Sequence, residues 1–304
     1  MTLTGLFVPL ITPFDPSGEV ALEALETLAE EVLDNGASGL VALGTTAEPG
    51  SLSAEERDYV VEVATRVCRE RGAPLLVGAH NRDALRALGD RPEVTAALCL
   101  VPPFVRPGED GVLAHFADLA ADSPVPLVGY DNPSRTGQYL SAGTLRRLAD
   151  LPGVVGLKYA PGGINADTVA LLAAPPAGLA ILGGDDPFIS PLLALGAHGG
   201  ILVSAHLATA DFAALMDQWR AGDVPAARRS GHRLAVLSGA LFAEPNPTVI
   251  KGVLHAQGRI PTPSVRLPLL PARPETVAAA SRLLSGPARP AGGQGSRPLL
   301  SGRA

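Results

Sequence analysis

Two lysines stand out in a chain whose other basic residues are all arginine: of 24 lysines and arginines, only Lys158 and Lys251 are lysine. Where a positive charge is all that is needed, arginine serves; a lysine that persists is a candidate for chemistry that needs the amine, because a guanidinium stays protonated and cannot act as a nucleophile. Lys158 closes the apolar run Val-Val-Gly-Leu-Lys, and such neighbours favour the neutral amine. A neutral amine can attack a ketone and form an iminium, an electron sink for making or breaking a C–C bond. The position equally suits a lysine that is merely ion-paired at a strand end. Lys251, with Glu244 nearby, falls in a C-terminal helical region expected to lie away from this chemistry, and reads as structural.

Other residues could complete such a site. Tyr130 ends the apolar run before that of Lys158, so its phenol could relay protons as a carbinolamine collapses; it could also be a rim aromatic packed on the core. Gly44-Thr45-Thr46 offers backbone N–H groups and two hydroxyls suited to a carboxylate, or is an ordinary tight turn. Arg135 could clamp a second carboxylate with two parallel hydrogen bonds, or be solvated. Asp185 and Asp186 have no histidine at ligand spacing, so no metal is expected, and helix capping by Asp186 is the favoured reading.

These residues must be held by something. Short runs rich in Val, Leu and Ile recur at Leu6–Leu10, Gly39–Leu43, Pro74–Val77, Ala96–Val101, Val125–Tyr130, Val154–Lys158, Leu179–Leu182 and Gly200–Val203. Continuous apolar strands of this length are buried on both faces, as in a parallel sheet. Amphipathic segments separate them: Ala21–Asn35, Ala54–Arg71 behind a Ser53/Glu56 capping box, a short one near Arg82–Leu88, then Gly111–Ala121, Ser141–Leu151, Asn165–Ala174, Pro187–Leu195 and Ala208–Arg220. Eight strand–helix repeats predict a TIM (β/α)8 barrel over residues 1–223, with the polar residues above at its C-terminal mouth. Helical patterns at Pro225–Leu241, Pro247–Gln257 and Pro274–Leu284 predict a C-terminal helical extension over 224–284. Residues 285–304, rich in Pro, Gly, Ser, Ala and Arg, read as a disordered tail.

Composition excludes several classes. Hydrophobic residues make up 46% of the 304 and charged residues 18%, which fits a soluble globular chain. No apolar run approaches the about 18 residues that a membrane span needs, and the N-terminus lacks the basic region of a signal peptide. A net charge of −6 argues against nucleic acid. Cys68 and Cys99, without metal-type spacing, fit a reducing cytoplasm.

The stretches GLFVPLITPF, GLVALGTTAEPGSLSAEER, GYDNPSRTG, GVVGLKYA, ILGGDD, GGILVS and LFAEPNPTVIKGVLHAQG, in this order, resemble the dihydrodipicolinate synthase and N-acetylneuraminate lyase family of class I aldolases. The resemblance runs from residue 5 to about residue 269. It implies that Lys158 forms a Schiff base with pyruvate, that Tyr130 and Thr45 relay protons, that Thr45 and Thr46 bind the pyruvate carboxylate, and that the backbone of Ile201 lines the pocket. Arg135 matches the arginine that the synthases use for the carboxylate of aspartate semialdehyde. The resemblance also implies a homo-oligomer, dimer or tetramer, acting on a small 2-oxo acid without a cofactor. The sequence departs from the synthases in four places: Pro102-Pro103-Phe104-Val105-Arg106 carries no phenol where a relay tyrosine is usual, Asp131 replaces an asparagine, GTTAE replaces GTTGE, and the third helix is several residues short. Pro49, Gly50, Ala54 and Arg57 do not resemble a lysine feedback site. The leading expectation is condensation of pyruvate with aspartate semialdehyde. Alternatives are an aldolase or dehydratase for another 2-oxo acid or sugar acid, and a catalytically weak paralogue that binds or regulates.

Overall fold

The structure, a computed structural model, describes residues 3–285. The strands are β1 (Gly5–Pro9), β2 (Gly39–Ala42), β3 (Leu75–Gly78), β4 (Val94–Leu100), β5 (Leu127–Asp131), β6 (Val154–Tyr159), β7 (Ala180–Gly183) and β8 (Gly199–Ile201). Each pairs in parallel with the next and β8 returns to β1, closing a (β/α)8 barrel. The period-two alternation of strands sorts the side chains into two cores. Phe7, Val41, Leu76, Leu98, Val128 and Leu182 fill the barrel interior. Leu6, Val8, Leu40, Cys99, Leu157 and Ile181 face outward into the layer shared with the helices. Both faces are buried, which is why the strands read as unbroken apolar runs.

The helices are α1 (Leu22–Asp34), α2 (Ala54–Arg71), α3 (Arg82–Arg86), α4 (Gly108–Asp122), α5 (Pro133–Thr136), α6 (Ala142–Ala149), α7 (Ala166–Ala173), α8 (Ile189–Ala194), α9 (Ala205–Arg220), α10 (Val224–Leu241), α11 (Thr248–Ala256) and α12 (Pro274–Ser285). The capping box at the start of α2 is present: Glu56 N donates to Ser53 Oγ at 3.1 Å, and Ser53 N donates to Glu56 Oε2 at 2.7 Å. Gly72, in the left-handed conformation, ends that helix. Helix α4 starts three residues before the expected Gly111, and the short α5 was not expected. The segment at Pro187–Leu195 divides into a 3-10 turn, Asp186–Phe188, and α8. Helix α9 likewise starts three residues earlier than expected, with non-helical dihedrals at Ala208.

α10 packs against α9, and α11 and α12 pack together. The tail expected over residues 285–304 lies outside the described residues, apart from Ser285. No helix among the described residues is long and apolar enough to cross a membrane.

Candidate active site

Adjacent strands bring the lysine and the phenol together. In the β5–β6 ladder Tyr130 is the register partner of Lys158, so both side chains point to the same face of the sheet. Lys158 Nζ lies 4.3 Å from the centroid of the Tyr130 ring, and both residues are buried. Gly184, just past β7, leaves the room that the lysine needs: a Cβ there would lie 2.8 Å from Lys158 Cε. The Tyr130 hydroxyl accepts from Asn132 Nδ2 at 2.9 Å, so its own hydrogen stays available for transfer.

A cavity of about 560 Å³ opens above this pair, at the C-terminal ends of the strands, and Thr45, Thr46, Tyr130, Arg135, Lys158 and Ile201 all line it. Thr45 and Thr46 begin a 3-10 turn, Thr45–Ala47, directly after β2. The first N–H groups of such a turn have no acceptor within it. The Thr46 hydroxyl accepts from Asn246 Nδ2 at 3.0 Å, which leaves its hydrogen free to donate. Arg135 sits on α5, is exposed, and has no carboxylate partner among the described residues.

Three expectations need correction. Glu244 was placed away from the mouth, yet the turn after α10 folds back over the strand ends, and Glu244 and Asn246 line the cavity. Lys251 also reaches the mouth region: it is fully buried and its Nζ donates to Glu48 Oε1 at 2.8 Å, immediately after the threonine turn. Asp186 does not cap its own helical turn. Its carboxylate instead accepts from Ser204 N at 2.6 Å, tying the end of β7 to the start of α9. None of these three contacts had a local signal, because each partner comes from a different strand–helix unit.

Carboxylates shape the electrostatics. Burial pushes Asp186 up to about 6, while hydrogen bonds from Ser204 and the positive charge of Lys158 oppose it. Burial also raises Asp185, against a hydrogen bond from Gly162 and the nearby Lys158. Asp131 lies on the outward face of β5. It is 1% exposed, its Oδ1 has no hydrogen-bond partner among the described residues, and burial with the neighbouring Asp185 pushes it up to about 7. Among the described residues, no group of three or more His, Cys, Asp or Glu side chains is placed to hold a metal ion. Phe104 is 93% exposed and Val105 is also exposed; neither lines the lysine cavity. Pro49, Gly50, Ala54 and Arg57 line a separate cavity of about 570 Å³ behind the threonine turn.

Residues 2–286 match the profile of the dihydrodipicolinate synthetase family. The chain belongs to that family. It is 36% identical over 272 residues to a 4-hydroxy-tetrahydrodipicolinate synthase of Syntrophus aciditrophicus, covering 87% of this chain and 91% of the relative. It is 35% identical over 274 residues to the enzyme of the same name from Neisseria meningitidis, covering 88% and 93%. Among solved structures, the chloride-inhibited dihydrodipicolinate synthase from Acinetobacter baumannii, complexed with pyruvate, superposes with a TM-score of 0.87 at 33% identity, covering 93% of this chain and 98% of that one. The synthase from Aquifex aeolicus superposes with a TM-score of 0.85 at 30% identity, covering 93% and 97%.

Proposed function

We propose that this chain is a Schiff-base lyase of the class I aldolase type that condenses pyruvate with aspartate semialdehyde, the reaction of a 4-hydroxy-tetrahydrodipicolinate synthase. The observation that carries the reading is the pairing of Lys158 with Tyr130 at the floor of a cavity whose rim holds Thr45, Thr46 and Arg135. Pyruvate enters with its carboxylate on the Thr45–Thr46 turn, which presents N–H and O–H donors. The Lys158 amine attacks the ketone carbon. Tyr130, its hydroxyl already accepting from Asn132, donates a proton to the departing hydroxide, and Thr45 extends the relay. Loss of water leaves the iminium, and loss of a methyl proton gives the enamine. The enamine carbon adds to the aldehyde of the second substrate, whose carboxylate Arg135 holds from the rim. Attack of the semialdehyde's amine on the iminium carbon closes the ring and releases Lys158. Ile201 supplies an apolar wall that keeps pyruvate against the lysine.

Borohydride reduction in the presence of pyruvate tests the first step. A folded sample should gain a reduced pyruvate adduct on the peptide containing Lys158, and Lys158→Arg should gain none; absence of the adduct from the unmodified protein would sink the proposal. Asp131 and the missing phenol at Phe104–Val105 favour a second reading, an aldolase or dehydratase for another 2-oxo acid or sugar acid. Turnover assays with aspartate semialdehyde beside a panel of other aldehydes separate the two. The protein works in the cytoplasm as a homodimer or homotetramer on this reading. The exposed Phe104, Val105 and Tyr139 support self-association, and sedimentation of the pure protein measures it.

A further inference from the structure

The threonine turn is held in a conformation that its own sequence does not favour. Leu43 (φ 51°) and Glu48 (φ 54°), neither of them glycine, flank it in the left-handed region. Such residues persist only where the surroundings over-determine them. Here the surroundings come from three directions. Thr12 Oγ1, from the loop after β1, donates to Ala47 O at 2.8 Å. Asn246, from the turn before α11, holds the Thr46 hydroxyl. The Glu48 carboxylate is held at both oxygens, by Lys251 Nζ at 2.8 Å and by Arg266 N at 2.9 Å.

The Glu48–Lys251 pair is closed off from water, with side-chain exposures of 2% and 0%. A buried ion pair adds little net stability compared with apolar residues of the same shape, whereas breaking one half of it is costly. Its effect is to permit one geometry and penalise others. The amine also lies 4.1 Å from the Phe14 ring centroid, with the Arg266 guanidinium 4.4 Å from the same ring.

We infer that Lys251, acting through Glu48, is a positioning residue for the substrate carboxylate: the buried pair locks the turn that aims Thr45 and Thr46 into the cavity, so the C-terminal helices set the geometry of carboxylate binding. The inference rests on the proposed role of the two threonines. Lys251 and Glu48 themselves touch no substrate; neither lines the cavity.

The test uses the full chain and two variants. Glu48→Gln keeps the shape but cannot accept from both donors. The double variant Glu48→Gln/Lys251→Met removes both charges and so avoids the uncompensated buried charge that either single substitution leaves. Borohydride trapping at Lys158 is titrated with pyruvate and, separately, with hydroxyacetone, a ketone that lacks the carboxylate. In both variants the half-saturating pyruvate concentration should rise about ten- to a hundredfold, while that of hydroxyacetone changes by less than about threefold. Circular dichroism establishes that the variants are folded. Unchanged pyruvate saturation in either folded variant, or equal losses with both ketones, would overturn the inference. If the unmodified protein traps neither ketone, it is the catalytic reading of Lys158 that fails.

Discussion

Replacing Asp131 with asparagine should make the protein more stable, and only above mildly acidic pH. The carboxyl is buried against Tyr159 and the helix layer, its Oδ1 has no partner among the described residues, and desolvation, helped by Asp185, moves it from 3.8 to about 7. Below pH 3.8 both folded and unfolded chains hold the proton, and the group contributes nothing. Between 3.8 and about 7 the folded chain keeps a proton that the unfolded chain has lost, so stability falls as pH rises. Above 7 the penalty is complete. At about 1.4 kcal/mol for each pH decade, the interval corresponds to a penalty on the order of 4 kcal/mol. Asparagine has no charge to lose. The difference in urea unfolding free energy, Asp131→Asn minus unmodified, should therefore be near zero at pH 4 and grow to a plateau of a few kcal/mol at pH 8. Asp186, raised to about 6, and His206, lowered to about 4, titrate in both proteins and drop out of the difference. A difference that does not vary with pH, or a variant less stable at pH 8, would refute the reasoning.

Arg135→Ala removes the free guanidinium at the rim; the KM for a carboxylate-bearing aldehyde should rise by a factor equivalent to about 1.5–3 kcal/mol, with the pyruvate adduct at Lys158 still trapped. Steady-state kinetics beside borohydride trapping check this. Gly184→Ala puts a methyl 2.8 Å from Lys158 Cε, so adduct formation should slow sharply while circular dichroism stays unchanged. Glu56 is held down at about 2, chiefly by its hydrogen bonds from Arg266, against an ordinary 4.5. Its stabilisation is present above pH 4.5 and lost as pH falls through about 2. Solvent at the partly exposed Arg266 screens the pair, so Glu56→Gln should cost on the order of 1 kcal/mol in urea unfolding at pH 7, and progressively less below pH 4.5.

How much of this could be read from the chain depends on how far apart the interacting residues lie in it. The strand runs, the Ser53/Glu56 capping box and the alternation that buries both faces of each strand are local, set by neighbours within a few residues. Such signals survive in a linear sequence, and they were enough to predict the barrel and to nominate Lys158 at a strand end. The side-by-side placement of Tyr130 and Lys158 was also within reach, because a parallel barrel makes consecutive strands neighbours. Register, which only the folded ladder sets, turned that expectation into a residue pair.

The other features of the cavity came from closure of the barrel and the return of the C-terminal helices. Asn246 meets Thr46 across 200 residues, and Lys251 meets Glu48 across 203. No periodicity or spacing links such partners, since hydrogen bonds and desolvation act through space and depend on which elements pack together. Lys251 illustrates the division. Composition alone marked it as unusual, and the sequence pointed away from the site. Tertiary packing placed its amine under the threonine turn, paired with Glu48 and closed off from water.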